Sequence, residues 1–148
     1  MKNVHSIEID APPASVFAWL GDGERAKQWV PNLVESEDIV RTPDVVGSTF
    51  RHVYLERGRR MEMHGKVVGY EPLRRFTLTL SGPFDAHVDY VLDDIGGGRT
   101  RLTQHSEVRF RSRVMAVIAA LLSPLMKGAA SKQAEQSFGK LRRLIETG

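Results

Sequence analysis

The sequence predicts an α+β domain built on one antiparallel sheet of seven strands, with two short helices after the first strand and a long helix at the C-terminus. Three observations predict it. Apolar residues alternate with polar ones through seven separate stretches, turn signals separate the last six stretches, and helical spacing is confined to two places. At 148 residues there is room for one domain, spanning 1–148, that buries most of its unfolded surface without staples.

The elements follow in order. Val4 to Ile9 alternates as a strand, with Val4, Ser6 and Glu8 on one face and His5, Ile7 and Ile9 on the other. Asp10-Ala-Pro-Pro comes next, and Asp10 is expected to cap a helix whose apolar side carries Val16, Phe17 and Leu20. Gly21 to Gly23 ends that helix, and a second short one runs through Trp29 to Pro31. The period then becomes two. Val34 to Val40, Thr49 to Glu56, Met61 to Gly69, Arg75 to Leu80, Phe84 to Asp93 and Arg101 to Arg109 read as strands. Between them lie Pro43 to Gly47, Gly58-Arg59, Glu71-Pro72, Gly82-Pro83 and Gly96 to Gly98, each a turn centred on Gly or Pro. A helix from about Arg111 to Glu146 closes the chain, bent or broken near Pro124 and Gly128, with Ala134, Phe138, Leu141 and Ile145 as an apolar stripe.

Composition excludes several classes. There is no cysteine, hence no disulfide, thiolate nucleophile or Cys-ligated zinc, which fits a reducing, cytoplasmic setting. No targeting segment is expected from the alternating pattern of Met1 to Asp10, and the apolar run Val114 to Met126 is too short to span a membrane, so it reads as a buried or groove-covering helix. Net charge is +3 but uneven. From Arg109 onward there are eight Lys/Arg against two Asp/Glu, or +6, which leaves thirteen against sixteen, or −3, for the rest. The basic segment lacks interleaved aromatics or a docking motif, so no nucleic acid is expected. Arg109, Arg111 and Arg113 ahead of an apolar helix would suit weak contact with an anionic membrane surface; the alternative is a solvated face, with Val117, Leu121 and Leu125 capping a cavity.

Strand register follows from keeping apolar residues on one face. Around Gly96 to Gly98, pairing residues whose numbers sum to 194 sets Leu92 opposite Leu102, Tyr90 opposite Gln104 and Val88 opposite Ser106. The other face then gains Asp93 with Arg101, Asp89 with His105 and His87 with Glu107. Moving outward, Leu80 is expected opposite Phe84 and Leu78 opposite Ala86, with Arg75 facing Asp89; Met63 opposite Leu80; and Tyr54 opposite Met63 across a turn with glycine first. This last step sets Arg51 beside Lys66, and a one-residue shift or a bulge there is the alternative. The inner face then carries Phe50, His52, Tyr54, Met61, Met63, Val67, Phe76, Leu78, Val88, Tyr90, Leu102 and Gln104, with Gly65 and Ala86 adding little volume. Such a lining suits a pocket in which a few polar groups orient a mostly apolar guest; a filled core is the other reading.

The element order, together with Ile7-Glu-Ile-Asp-Ala-Pro-Pro-Ala-Ser-Val-Phe-Ala-Trp-Leu20, Trp29 with Pro31, Gly47 before a strand, Tyr70-Glu-Pro-Leu-Arg74 and Gly97-Gly-Arg-Thr-Arg-Leu-Thr103, resembles the START-like, or SRPBCC, superfamily, and within it the polyketide cyclase/dehydrase and lipid-transport branch. The resemblance implies a helix-grip (START/Bet v 1-like) fold, a curved sheet wrapped around the C-terminal helix, with a cavity between them for an apolar or aromatic small molecule. It carries over no catalytic residue, because the matching segments are caps and turns.

Chemistry in the residues themselves is sparse. Five histidines sit on five strands without metal-ligand spacing, so no metal site and no cofactor are expected. Gly96 to Gly98 lacks nucleotide-binding context, and no nucleophile elbow occurs. Trp19 and Trp29 read as core anchors. The expected function is binding of a lipid, polyketide or quinone-like molecule by Phe50, His52, Tyr54, Met63, Phe76, Leu78, Val88, Tyr90, Gln104 and Leu121. Two alternatives stand beside it: a cyclase or dehydratase using His52, Tyr54 or Tyr90 as proton shuttle, with Gln104 assisting, and a membrane-associated carrier. A homodimer is compatible with an exposed edge strand, but no residue decides it.

Overall fold

The computed structural model describes residues 2–147, without the side chains of residues 119, 122–127 and 129–131. The elements are β1 (Lys2–Ile9), α1 (Pro13–Phe17), α2 (Gly23–Trp29), β2 (Leu33–Val40), β3 (Thr49–Glu56), β4 (Arg59–Glu71), β5 (Arg75–Ser81), β6 (Phe84–Gly96), β7 (Arg99–Phe110) and α3 (Arg113–Thr147). The strands form one antiparallel sheet of seven, ordered β1-β7-β6-β5-β4-β3-β2. The fold class is the expected one.

Local chemistry sets the helix starts. The Asp22 side chain caps α2, accepting from the backbone N–H of Glu24 at 2.9 Å and of Arg25 at 3.4 Å. Contrary to the sequence expectation, Asp10 does not cap α1. Pro12 occupies that position and Pro13 opens the helix, while the Asp10 N–H donates to Glu146 Oε1 at 2.9 Å and ties the segment to α3. Thr100, fully buried on β7, donates its hydroxyl to Ala11 O at 2.8 Å from the other side.

The β6/β7 register is the one expected, with Leu92 opposite Leu102, Tyr90 opposite Gln104 and Asp93 opposite Arg101. The next three hairpins pair two residues away from expectation. Leu78 faces Val88 rather than Ala86, Gly65 faces Leu80 rather than Leu78, and His52 rather than Tyr54 faces Met63. A slip of two keeps every side chain on its face, so alternation cannot detect it. The turns decide instead. The β3/β4 turn is Arg57-Gly58, both at positive φ (51° and 78°) with glycine second, which is the geometry that matches strand twist. Arg51 consequently stands opposite His64, not beside Lys66, and pairs with Glu62 at 2.6 Å. Arg75 still reaches Asp89, diagonally rather than directly, at 2.6 Å, and Thr77 Oγ1 donates to the same carboxylate at 2.6 Å.

The core lies where the C-terminal half of α3 meets β1, β7, α1 and α2. Phe138, Leu141 and Ile145 are buried with Ile9, Val16 and Leu102. The N-terminal half does otherwise. Val114, Met115, Val117, Ile118 and Leu121 are exposed, Leu121 at 77%, so this stretch neither lies buried nor covers a groove. Length explains it: 35 residues make a helix of about 52 Å, while six spacings across seven strands span about 29 Å. The helix is one element, undivided at Pro124 and Gly128, since a single proline removes only one bond from the ladder. Leu125, expected to help cap the cavity, lies outside the described side chains.

Candidate functional site

An apolar cavity of about 520 Å³ opens between the inner face of β3, β4 and β5, the α1–α2 segment and the loop joining β2 to β3. That volume is within the range of small-molecule pockets. The sheet contributes Phe50, His52, Val67, Phe76 and Leu78, and the helical segment contributes Phe17 and Leu20. Gly65 has a spatial role here. A Cβ at that position would overlap the Phe50 ring, so its absence lets the ring lie against the strand and leaves the volume above it open.

His52 is the imidazole of this wall, which Thr49 and Tyr70 also line. Its Nδ1 is 3.2 Å from the Tyr54 hydroxyl, and its ring lies 4.6 Å from that of Phe50. Burial lowers its pKa to about 4 against a weak opposing pull from Asp38, so the imidazole is neutral near pH 7. Burial likewise pushes Tyr54 up to about 12, and it raises Tyr90, fully buried and near Tyr54, further still. All three groups are therefore neutral hydrogen-bonding groups. A base is most effective with a pKa near the working pH, so this environment favours orienting a guest over moving its protons. Charge is kept to the rim, where Arg41 binds Asp38 at 2.7 Å.

Not all of the expected lining gathers here. Phe50, His52, Phe76 and Leu78 line this cavity, and Tyr54 joins through His52. Met63 is packed away under the Gly82 turn, and Val88 is half-buried against the core. Tyr90 and Gln104 line a separate cavity beside α3, while Leu121 stands in solvent. Described α3 side chains line only that second cavity, so the space between sheet and C-terminal helix is the smaller of the two. Tyr70, Phe17 and Val45 are among the contributors that escaped the sequence reading. Tyr70 turns inward because a bulge between Val67 and Gly69 shifts the alternation by one, and the glycine in the strand was the available signal. Phe17 was visible as an apolar helix face but not as a cavity wall. Val45 lines the cavity from a loop at φ 69°, a conformation unfavourable for a β-branched residue, and no sequence pattern announces it.

The sequence profile of the family described as polyketide cyclase/dehydrase and lipid transport matches residues 2–146. The chain belongs to this family. Among solved structures it is similar to a START superfamily protein from Mycobacterium smegmatis, with 17% identity, a TM-score of 0.80, and coverage of 99% of this chain and 97% of that one. A protein from Thermus thermophilus gives 17% identity and 0.79 over 99% and 98% of the two chains. The Zhui aromatase/cyclase from a Streptomyces species gives 12% and 0.77 over 99% and 93%. These likenesses establish the START-like helix-grip fold. No curated protein matches the chain. Among the described residues no helix is long and apolar enough to cross a membrane, and no three His, Cys, Asp or Glu side chains gather as a metal site.

Proposed function

We propose that the protein binds a hydrophobic or aromatic small molecule, of lipid, polyketide or quinone-like character, in the cavity walled by α1, α2 and β3 to β5. The observation that carries this reading is an apolar space of about 520 Å³ holding one neutral imidazole, itself hydrogen-bonded to a tyrosine. Apolar walls supply affinity through burial, and His52 selects a guest with a hydrogen-bonding group at that depth. Native mass spectrometry of the purified protein tests it. An apolar molecule carried with the folded chain and released on denaturation is expected, and its loss in a Leu78→Trp variant would place it in this cavity. A ligand-free chain that takes up no apolar compound on incubation would refute the reading.

The His52–Tyr54 contact supports a second reading, a cyclase or dehydratase in which this pair, or Tyr90, relays a proton while the cavity holds a poly-carbonyl chain. In that case His52→Ala abolishes turnover and leaves affinity within a few-fold; equal loss of both favours binding alone. A membrane-associated carrier draws on the exposed apolar start of α3 beside Arg109, Arg111 and Arg113, the last without an ion-pair partner among the described residues. Association with phosphatidylglycerol vesicles should then weaken with salt and with Arg→Gln changes at these three positions. No association at low salt would exclude the carrier.

A further inference from the structure

The two ends of the sheet differ in charge. Because the strands are antiparallel, one end gathers the start of β1, the β3–β4 and β5–β6 turns, the end of β7 and the start of α3. Lys2, Arg57, Arg59, Arg60 and Arg113 are exposed there. Asp85, Glu107 and Glu35 at this end are paired with Arg111, Arg109 and Arg60, and Glu56 faces Arg59 across the β3–β4 turn. Arg57, Arg59 and Arg113 have no ion-pair partner among the described residues. From Val108 to Ala134 the chain carries Arg109, Arg111, Arg113, Lys127 and Lys132 and no Asp or Glu.

The opposite end holds the β2–β3 loop and the β4–β5 and β6–β7 turns. The cavity walled by α1, α2 and β3 to β5 has its mouth at that end. Its lining takes the last residues of β2 and β4 and the first of β3 and β5, with exposed Asp38 and Arg41 on the rim. Asp44, Glu71, Asp93 and Asp94 are exposed at the same end, with Arg74 and Arg99 among them.

The apolar start of α3 has no seat on its own sheet. At about 100° per residue, the stripe of Val114, Val117, Ile118 and Leu121 is turned roughly 140° from Phe138, Leu141 and Ile145, which pack on the sheet. A swing of the helix toward the sheet would carry these large side chains away from it and bring Ala116 and Ala120 toward it. An exposed apolar stripe of this kind marks an interaction site, and charge selects the occupant. A second copy docking by the same stripe brings the same acid-free segment, so like charges meet. An anionic lipid surface accepts both the apolar stripe and the arginines.

We propose that the basic end docks on an anionic lipid surface, with the α3 stripe in the interface and Arg57, Arg59 and Arg113 over the headgroups, and that the cavity mouth faces water. This rests on the lipid contact of the carrier reading and departs from it in orientation: docking holds the protein while a guest enters or leaves on the aqueous side. The carboxylates at the mouth end, repelled by the surface, favour that orientation.

The test uses the absence of cysteine, which allows one fluorescent NBD label per chain, on Val117→Cys in the stripe or on Val46→Cys beside the mouth. With vesicles of equimolar phosphatidylglycerol and phosphatidylcholine, the emission of the Val117 label should shift to the blue and that of the Val46 label should not. Phosphatidylcholine alone should shift neither, and Arg57→Gln with Arg59→Gln should raise the lipid concentration required about tenfold. A shift of both labels, or of the Val46 label alone, overturns the proposal and leaves the carrier standing; a shift of neither overturns both. An equal Val117 shift with phosphatidylcholine alone, or one that needs no vesicles and grows with protein concentration, also overturns it, the latter assigning the stripe to a second copy. No outcome involves a guest, so the role of the cavity is tested separately.

Discussion

A histidine among apolar side chains is costly to charge, and His52 shows the consequence. Its pKa in the fold is about 4 against 6.5 for the free side chain. Between those values the unfolded chain binds the proton and the folded chain does not, so stability is fully present above about pH 6.5 and is lost as pH falls toward 4. The full difference is worth roughly 3 kcal/mol. Urea unfolding followed from pH 7 to 4 should show this loss, and His52→Gln should flatten the profile in that window; an unchanged slope would mean that His52 is hydrated. Gly65 gives a second expectation. Placing a methyl against the Phe50 ring should cost about 1–3 kcal/mol, and Gly65→Ala should also narrow the cavity because the ring's available escape is into it. Combining Gly65→Ala with Phe50→Leu should restore part of the stability in the same unfolding measurement.

At the scale of elements, α3 joins two unlike halves. Phe138→Ala should destabilise by about 3–5 kcal/mol, and Leu121→Ala by under about 0.5 kcal/mol, because Phe138 is 1% exposed and Leu121 is 77% exposed. Urea midpoints of the two variants check this. The strands show how far sequence can be read. The β6/β7 register was legible because two independent patterns, apolar on one face and charge pairs on the other, agreed on it. In the three outer hairpins the apolar pattern had only the Arg75–Asp89 pair beside it, and that pair forms diagonally as well as it would directly. Apolar alternation is blind to a slip of two residues, and the turn geometry that breaks the tie, positive φ at Arg57 before Gly58, is not written in an arginine. Inner-face membership was nevertheless legible outside the β4 bulge, so Phe50, His52, Phe76 and Leu78 were found despite the slips. Tyr70 was lost to a bulge, since one extra residue reverses the alternation beyond it.

Across the whole molecule, the lining expected of one cavity is divided between two, one of them the expected space between sheet and C-terminal helix. The inner face of a curved sheet is continuous, and the side chains that divide it, Trp29 against Phe138 and Tyr90, come from elements whose approach no periodicity encodes. The result is two spaces of different chemistry, one apolar beneath α1 and α2 and one amide-lined beside α3. The uneven charge also resolves in three dimensions. Arg109 and Arg111 are drawn into pairs with Glu107 and Asp85, and the apolar start of α3 beside them stays exposed. The most direct test of the central claim is the affinity of the neutral fluorescent probe N-phenyl-1-naphthylamine for the native chain and for Leu78→Trp. Saturable binding at one site, weakened about tenfold or more by filling the larger cavity, is the predicted result; no saturable binding, or equal affinity in the two proteins, would contradict it.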